Sequence, residues 1–124
     1  MRQILVIGNN DNGCTPELES IAYDTGKEVA KSGSVLITGG LGGVMNAASH
    51  GAKDAGGLTV GIIPQDDSAM ANAFCDIVIP SGMGLSRDFL NALSADGVIV
   101  VGGGSGTLSA VSYTHLTLPT ILLV

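Results

Sequence analysis

The sequence predicts a three-layer α/β/α fold built on a doubly wound parallel sheet. Three observations predict it. Five short apolar runs rich in β-branched residues recur along the chain, as strands buried on both faces do. Stretches with apolar residues at helical spacing separate most of them. Glycine clusters follow several of the runs, where a buried strand must turn into a helix. With 124 residues, 45% hydrophobic and 13% charged, the chain is one domain with enough apolar material for a core.

The elements follow in order. Residues 4–7 (Ile-Leu-Val-Ile) form the first strand, and a polar loop from Gly8 to Gly13 follows it. Thr15-Pro16-Glu17 starts a helix: Thr caps it, Pro fits the first helical position, and an acid suits the first turn. Leu18, Ile21, Ala22, Val29 and Ala30 make its apolar face, and Gly33 ends it. Residues 34–38 are the second strand. Gly39-Gly40-Leu41-Gly42-Gly43 then breaks the chain. Val44, Met45, Ala47, Ala48 and Ala52 carry the second helix, closed by Gly56-Gly57. Residues 58–63 are the third strand, stopped by Pro64, and residues 76–79 the fourth, stopped by Pro80. Residues 85–93 read as a third helix and residues 98–101 as the fifth strand.

Crossovers between parallel strands are right-handed, and ligands of such sheets bind beyond the carboxyl ends of the strands. The loops after strands one, two, four and five all fall on that edge. Gly8 and Asn9 follow strand one. Gly39, Gly40, Gly42, Gly43, Val44 and Met45 join strand two to its helix. Gly82 and Met83 follow strand four, and Gly103, Gly104, Ser105, Gly106 and Thr107 follow strand five. Glycine there lets a ligand approach main-chain N–H groups without a Cβ in the way. A helix N-terminus adds donors and a favourable dipole for an anion. The expectation is a cradle for a small phosphorylated molecule; the plainer alternative is that the glycines only permit tight turns. Neither cluster is a Walker loop or a full dinucleotide fingerprint. Arg87 stands beside this edge, where a guanidinium forks onto phosphate or carboxylate. The alternative for it is a solvated Arg paired with Asp88 or Asp11.

Other features exclude functions. The 19 glycines have no three-residue period, so collagen is excluded. There is no Trp, and only Tyr23, Tyr113, Phe74 and Phe89 are aromatic, too few for a base-stacking platform. A formal charge of −6 opposes binding to nucleic acid. No apolar run is long enough to cross a membrane, no secretory leader is read at the start, and a cytoplasmic location is the default expectation. Cys14 and Cys75 make neither a disulfide framework nor a zinc site, and no metal site is expected. Cys75 reads as core, Cys14 as a loop residue, His50 as exposed on the second helix, and Asp66-Asp67 as a solvated turn.

Gly39-Gly40-Leu41-Gly42-Gly43-Val44-Met45-Asn46-Ala47-Ala48, with Gly51-Ala52 and then Gly57 to Gly61-Ile62-Ile63-Pro64, resembles the GGxxGVMxAxxxGA…GxxxGIxP signature of the Lonely Guy (LOG)-like, or SLOG, superfamily, once misnamed lysine decarboxylases. Gly103-Gly104-Ser105-Gly106-Thr107 is similar to the core of the second motif, PGGxGTxxE. Within the superfamily the chain looks closest to the small branch that includes molybdenum-cofactor carrier proteins. The resemblance implies a Rossmann-like fold and a homodimer or higher homo-oligomer. In hydrolytic members it implies cleavage of a nucleoside 5′-monophosphate to base and ribose 5-phosphate, with no required cofactor. There an Arg matching Arg87 is catalytic, together with the Glu that closes the second motif. In carrier members it implies a bound nucleotide-like or molybdopterin-type ligand held without turnover. This chain departs twice: Gly102 replaces the motif's Pro, and Ala110 stands where the Glu falls.

Residues 111–120 (Val-Ser-Tyr-Thr-His-Leu-Thr-Leu-Pro-Thr) do not suit the helix expected after Thr107. They resemble the translation of GTC TCT TAT ACA CAT CTG ACG CTG CCG ACG, a transposase end and sequencing adapter. The expected organisation is therefore one domain over residues 1–110, C-terminally truncated, with a non-native tail over 111–124. The adapter supplies the last two bases of codon 110, leaving a native first base G that also begins Glu codons. Residues 121–124 (Ile-Leu-Leu-Val) keep strand character and can join a sheet.

Overall fold

A computed structural model describes residues 1–102 and 121–123. The elements are β1 (Gln3–Gly8), α1 (Pro16–Lys31), β2 (Val35–Thr38), α2 (Val44–Asp54), β3 (Thr59–Ile63), β4 (Ile77–Pro80), α3 (Arg87–Ser94), β5 (Gly97–Val101) and β6 (Ile121–Leu123). The strands form one sheet in the order β4-β3-β2-β1-β5-β6, and every pair is parallel. The chain adds strands outward from β1 to β4 on one side and then returns to add β5 and β6 on the other. The direction reverses between β1 and β5, the point where such sheets open a crevice.

Two apolar layers result from the period-2 alternation of each strand. Val6, Leu36 and Val101 point to one face and pack with Ala22 and Val29 of α1 and with Val44, Ala47, Ala48 and Ala52 of α2. Leu5, Ile7, Ile37, Ile62, Val98 and Val100 point to the other, where Leu90 of α3 and Ala95 meet them. Helices on both faces explain why β2 is buried along its whole length. This is the three-layer, doubly wound, Rossmann-like α/β fold.

Local chemistry sets the ends of α1. Thr15 Oγ1 accepts the Leu18 N–H at 3.2 Å with Pro16 as first residue. At the other end Gly33 adopts φ +79°, a conformation open to glycine. The two helices on that face approach closely at Gly26 and Gly51. A Cβ at Gly26 would lie 1.9 Å from the Ala48 carbonyl oxygen, and one at Gly51 would lie 2.0 Å from that of Tyr23.

Two boundaries differ from the sequence reading. The third helix begins at Arg87, not 85, because a 3₁₀ turn at Gly84–Ser86 precedes it. The Gly84 N–H donates to the Pro64 carbonyl at 3.0 Å, and φ is +64° at Gly82 and +60° at Gly84, which a regular α-helix does not accommodate. The fourth strand begins at Ile77, because Asp76 serves as a side-chain acceptor for the Thr59 N–H at 3.0 Å and for Lys53 Nζ at 2.9 Å. At the opposite edge Ile121–Leu123 pair with Val98, Ile99 and Val100.

Candidate functional site

The carboxyl ends of β2, β1 and β5 lie side by side in the sheet, so the loops that follow them share one rim. Gly8 is the pivot. A Cβ there would lie 2.5 Å from the Val101 carbonyl oxygen and 2.6 Å from Val44 Cγ1, so only glycine lets α2 pack across the ends of β1 and β5. Asn9 follows, and its carbonyl accepts the Val44 N–H at 2.9 Å. Gly102, at φ +72°, closes from the β5 side, its Cβ position 3.0 Å from Asn9 Oδ1. Gly103, Gly104, Ser105, Gly106 and Thr107 lie outside the described residues.

The β2–α2 loop is held from three sides. Thr38 Oγ1 accepts the Gly40 N–H at 3.0 Å. Asn72 Nδ2 donates to the Leu41 carbonyl and the Asn72 N–H to the Gly40 carbonyl, both at 2.8 Å. Asp11 Oδ1 accepts the Gly43 N–H at 2.8 Å. Gly40 and Gly43 have positive φ, so the turn cannot be copied with ordinary side chains. Val44 and Met45 bury their side chains, which leaves only their main chain to meet a ligand.

Arg87 is neither solvated nor paired with Asp11. It is 8% exposed, and its Nη1 donates to the Gly39 carbonyl at 2.8 Å and the Ile62 carbonyl at 3.1 Å. The guanidinium thus ties the start of α3 to the ends of β2 and β3. Beyond β4, Ser81 Oγ donates to the Ile63 carbonyl at 2.7 Å, and the Gly82 N–H donates to the Gln65 carbonyl at 3.0 Å. Met83 lies on the outside of this turn, 46% exposed.

The sequence reading did not single out Asp11 as a cap, Asn72 as a brace or Asn91. Asn91 stands one helical turn after Arg87, on the same face of α3, and is 2% exposed with no partner for Oδ1 among the described residues. Asx side chains in a loop give a general turn signal, but a partner more than 30 residues away leaves no local trace.

Other candidates lie elsewhere. His50 is half-buried rather than exposed: its ring stacks on Phe74 at 4.3 Å and meets the Tyr23 edge at 5.3 Å. Its Nε2 is 3.4 Å from Asp54 Oδ2, which also accepts the Tyr23 hydroxyl at 2.5 Å. Burial pushes the Cys75 thiol up, against a hydrogen bond with Ser49 that lowers it, and Asp76 adds to the rise. Cys14 is raised by burial, then by the charges of Glu19 and Asp11. Both thiols are protonated at neutral pH and poorly nucleophilic. Among the described residues no cluster of three or more His, Cys, Asp or Glu could hold a metal ion. No helix among them is long and apolar enough to cross a membrane. An apolar cavity of about 990 Å³ opens at the opposite rim, by Met1, Ile4, Ile21, Val29 and Ile99. It is remote from the converging loops, and the switch-point geometry favours the loops as the site.

Comparison with known proteins gives the family and the fold. The model of the SLOG cluster4 family matches residues 1–123. An uncharacterized protein of Archaeoglobus fulgidus is 46% identical over 112 residues, which are 90% of this chain and 72% of that protein. The molybdenum cofactor binding protein of Rippkaea orientalis is 40% identical, with TM-score 0.92 over 99% of this chain and 77% of that one. The Moco carrier protein of Chlamydomonas reinhardtii is 37% identical, with TM-score 0.90 over 98% of this chain and 75% of that one.

Proposed function

The chain belongs to the SLOG cluster4 family, and from that premise we propose that it is a carrier of a phosphorylated pterin cofactor of the molybdenum-cofactor type, held without turnover. The observation that carries this is the likeness to two solved carriers, at 40% and 37% identity, over nearly the whole chain. The crevice supports it physically. Gly8, Asn9, Gly39, Gly40, Gly42 and Gly43 stand together at the ends of β1 and β2, and Gly82 and Met83 stand on the same edge of the sheet, beyond β3. Their glycines let loops and helix pack closely at the rim, and packed side chains close the floor beneath it. Arg87 serves in this reading to fix the rim rather than to do chemistry.

The test is to express the chain in a cell that makes molybdenum cofactor, purify it, and measure molybdenum by mass spectrometry and pterin by oxidation to its fluorescent product. A carrier brings both in equal amounts, at a stoichiometry approaching one per chain. Absence of both, or release of a free base from nucleoside monophosphates, overturns the proposal.

A further inference from the structure

We infer that Asp11 sets the selectivity of the first glycine loop: its carboxylate is a built-in anion that keeps phosphate off the start of α2 and turns that wall towards the uncharged, donor-bearing end of a ligand. The first two donors at the start of α2 are already used within the chain. Asp11 Oδ1 accepts the Gly43 N–H at 2.8 Å, and the Asn9 carbonyl accepts the Val44 N–H at 2.9 Å. The carboxylate lies against the turn itself: a Cβ at Gly42 would be 2.4 Å from Oδ2 and 2.5 Å from Oδ1. Asp11 is held there by its own turn, in which Asn10 Oδ1 accepts the Asp11 N–H at 2.9 Å and the Asn10 carbonyl accepts the Gly13 N–H at 3.0 Å. Among the described residues no Lys or Arg forms an ion pair with it.

An N-terminal dipole and its free N–H groups attract one anion, and here a carboxylate of the chain is that anion. A phosphate at the same place meets a like charge a few ångströms away and finds the Gly43 and Val44 N–H groups occupied. A carboxylate is an acceptor only, so what it welcomes is an N–H or O–H donor. On the carrier reading, on which only the identity of the ligand rests, the amino-bearing pterin ring faces Asp11 and the phosphate lies away from α2.

The test follows the amide signals of Gly43 and Val44 by two-dimensional NMR during titration with inorganic phosphate. The wild-type chain is compared with Asp11→Ala and Asp11→Asn. Asn keeps an oxygen for the Gly43 N–H and loses the charge, and it decides the result if Ala disturbs folding. The expected result is no saturable shift in wild type and a saturable shift in the variants, with affinity at least tenfold higher. Equal response in wild type and variants, or none in either variant, overturns the inference. A second arm measures binding of molybdenum cofactor, which should weaken at least fivefold in Asp11→Asn; unchanged affinity overturns the acceptor role. If no form of the chain binds the cofactor, the carrier reading and the acceptor role fail together, and the phosphate arm still decides whether Asp11 excludes anions.

Discussion

Arg87 Nη1 donates to the carbonyl oxygen of Gly39 at 2.8 Å, so a side chain at the start of α3 holds the turn that opens α2. The same nitrogen reaches the Ile62 carbonyl at 3.1 Å. Arg87→Ala leaves both carbonyls without that buried donor. The expected loss is about 1–3 kcal/mol by urea denaturation. Arg87→Lys should recover part of it, since an ammonium also donates but lacks the planar fork. A stability change within about 0.5 kcal/mol of zero, as at neutral surface sites, would show that the brace is idle.

Gly26→Ala tests two opposed effects. Ala is favoured over Gly in a helix interior by about 1 kcal/mol. The new methyl would stand 1.9 Å from the Ala48 carbonyl oxygen, a main-chain atom of α2 that moves only with its helix. Overpacking of this kind costs about 1–3 kcal/mol or more, so the prediction is a net loss and a lower melting temperature. Gly51→Ala should behave alike against the Tyr23 carbonyl.

Asp76 makes part of the stability pH-dependent. Burial works against its charge, but the Lys53 ammonium and the Thr59 amide and hydroxyl outweigh it and hold the carboxyl below its ordinary value. A carboxyl lowered by folding stabilises the fold above its unfolded pKa, about 3.9, and that share is lost as the pH falls through the lower folded value. Thermal melts should therefore show a fall in stability below about pH 4, and Asp76→Asn should flatten it. An unchanged slope in the variant would assign the acid sensitivity to other groups.

The tail yields a prediction that needs no protein. An intact source gene should carry a Glu codon at position 110 and a different sequence after it. Direct sequencing of genomic DNA across that codon decides. In an Ala110→Glu chain with its natural continuation the second motif regains its acid. Base release from nucleoside monophosphates is then assayed, and the carrier reading predicts none.

The strands and the first two helices were legible because their causes are local. Continuous apolar runs, Thr15 as a cap and Gly33 as a stop lie within or beside the elements they define. What stayed hidden depends on distant partners. Arg87 sits among polar neighbours in sequence, and only carbonyls 48 and 25 residues away bury it. Asp11 finds Gly43 across 32 residues, and Asn72 finds Leu41 across 31. Gly26 and Gly51 weaken a helical pattern locally, yet they let two helix backbones touch. That the loops after β1, β2 and β5 share one rim was legible from the glycines; the hydrogen bonds that hold them were not.

The most direct test of the proposed site is hydrogen–deuterium exchange of the chain with and without molybdenum cofactor. Slowed exchange confined to residues 8–11, 39–45 and 81–84 is the result expected of a ligand in the crevice. Protection at residues 1–4, 21–34 and 97–99 instead would move the ligand to the opposite rim and contradict the site.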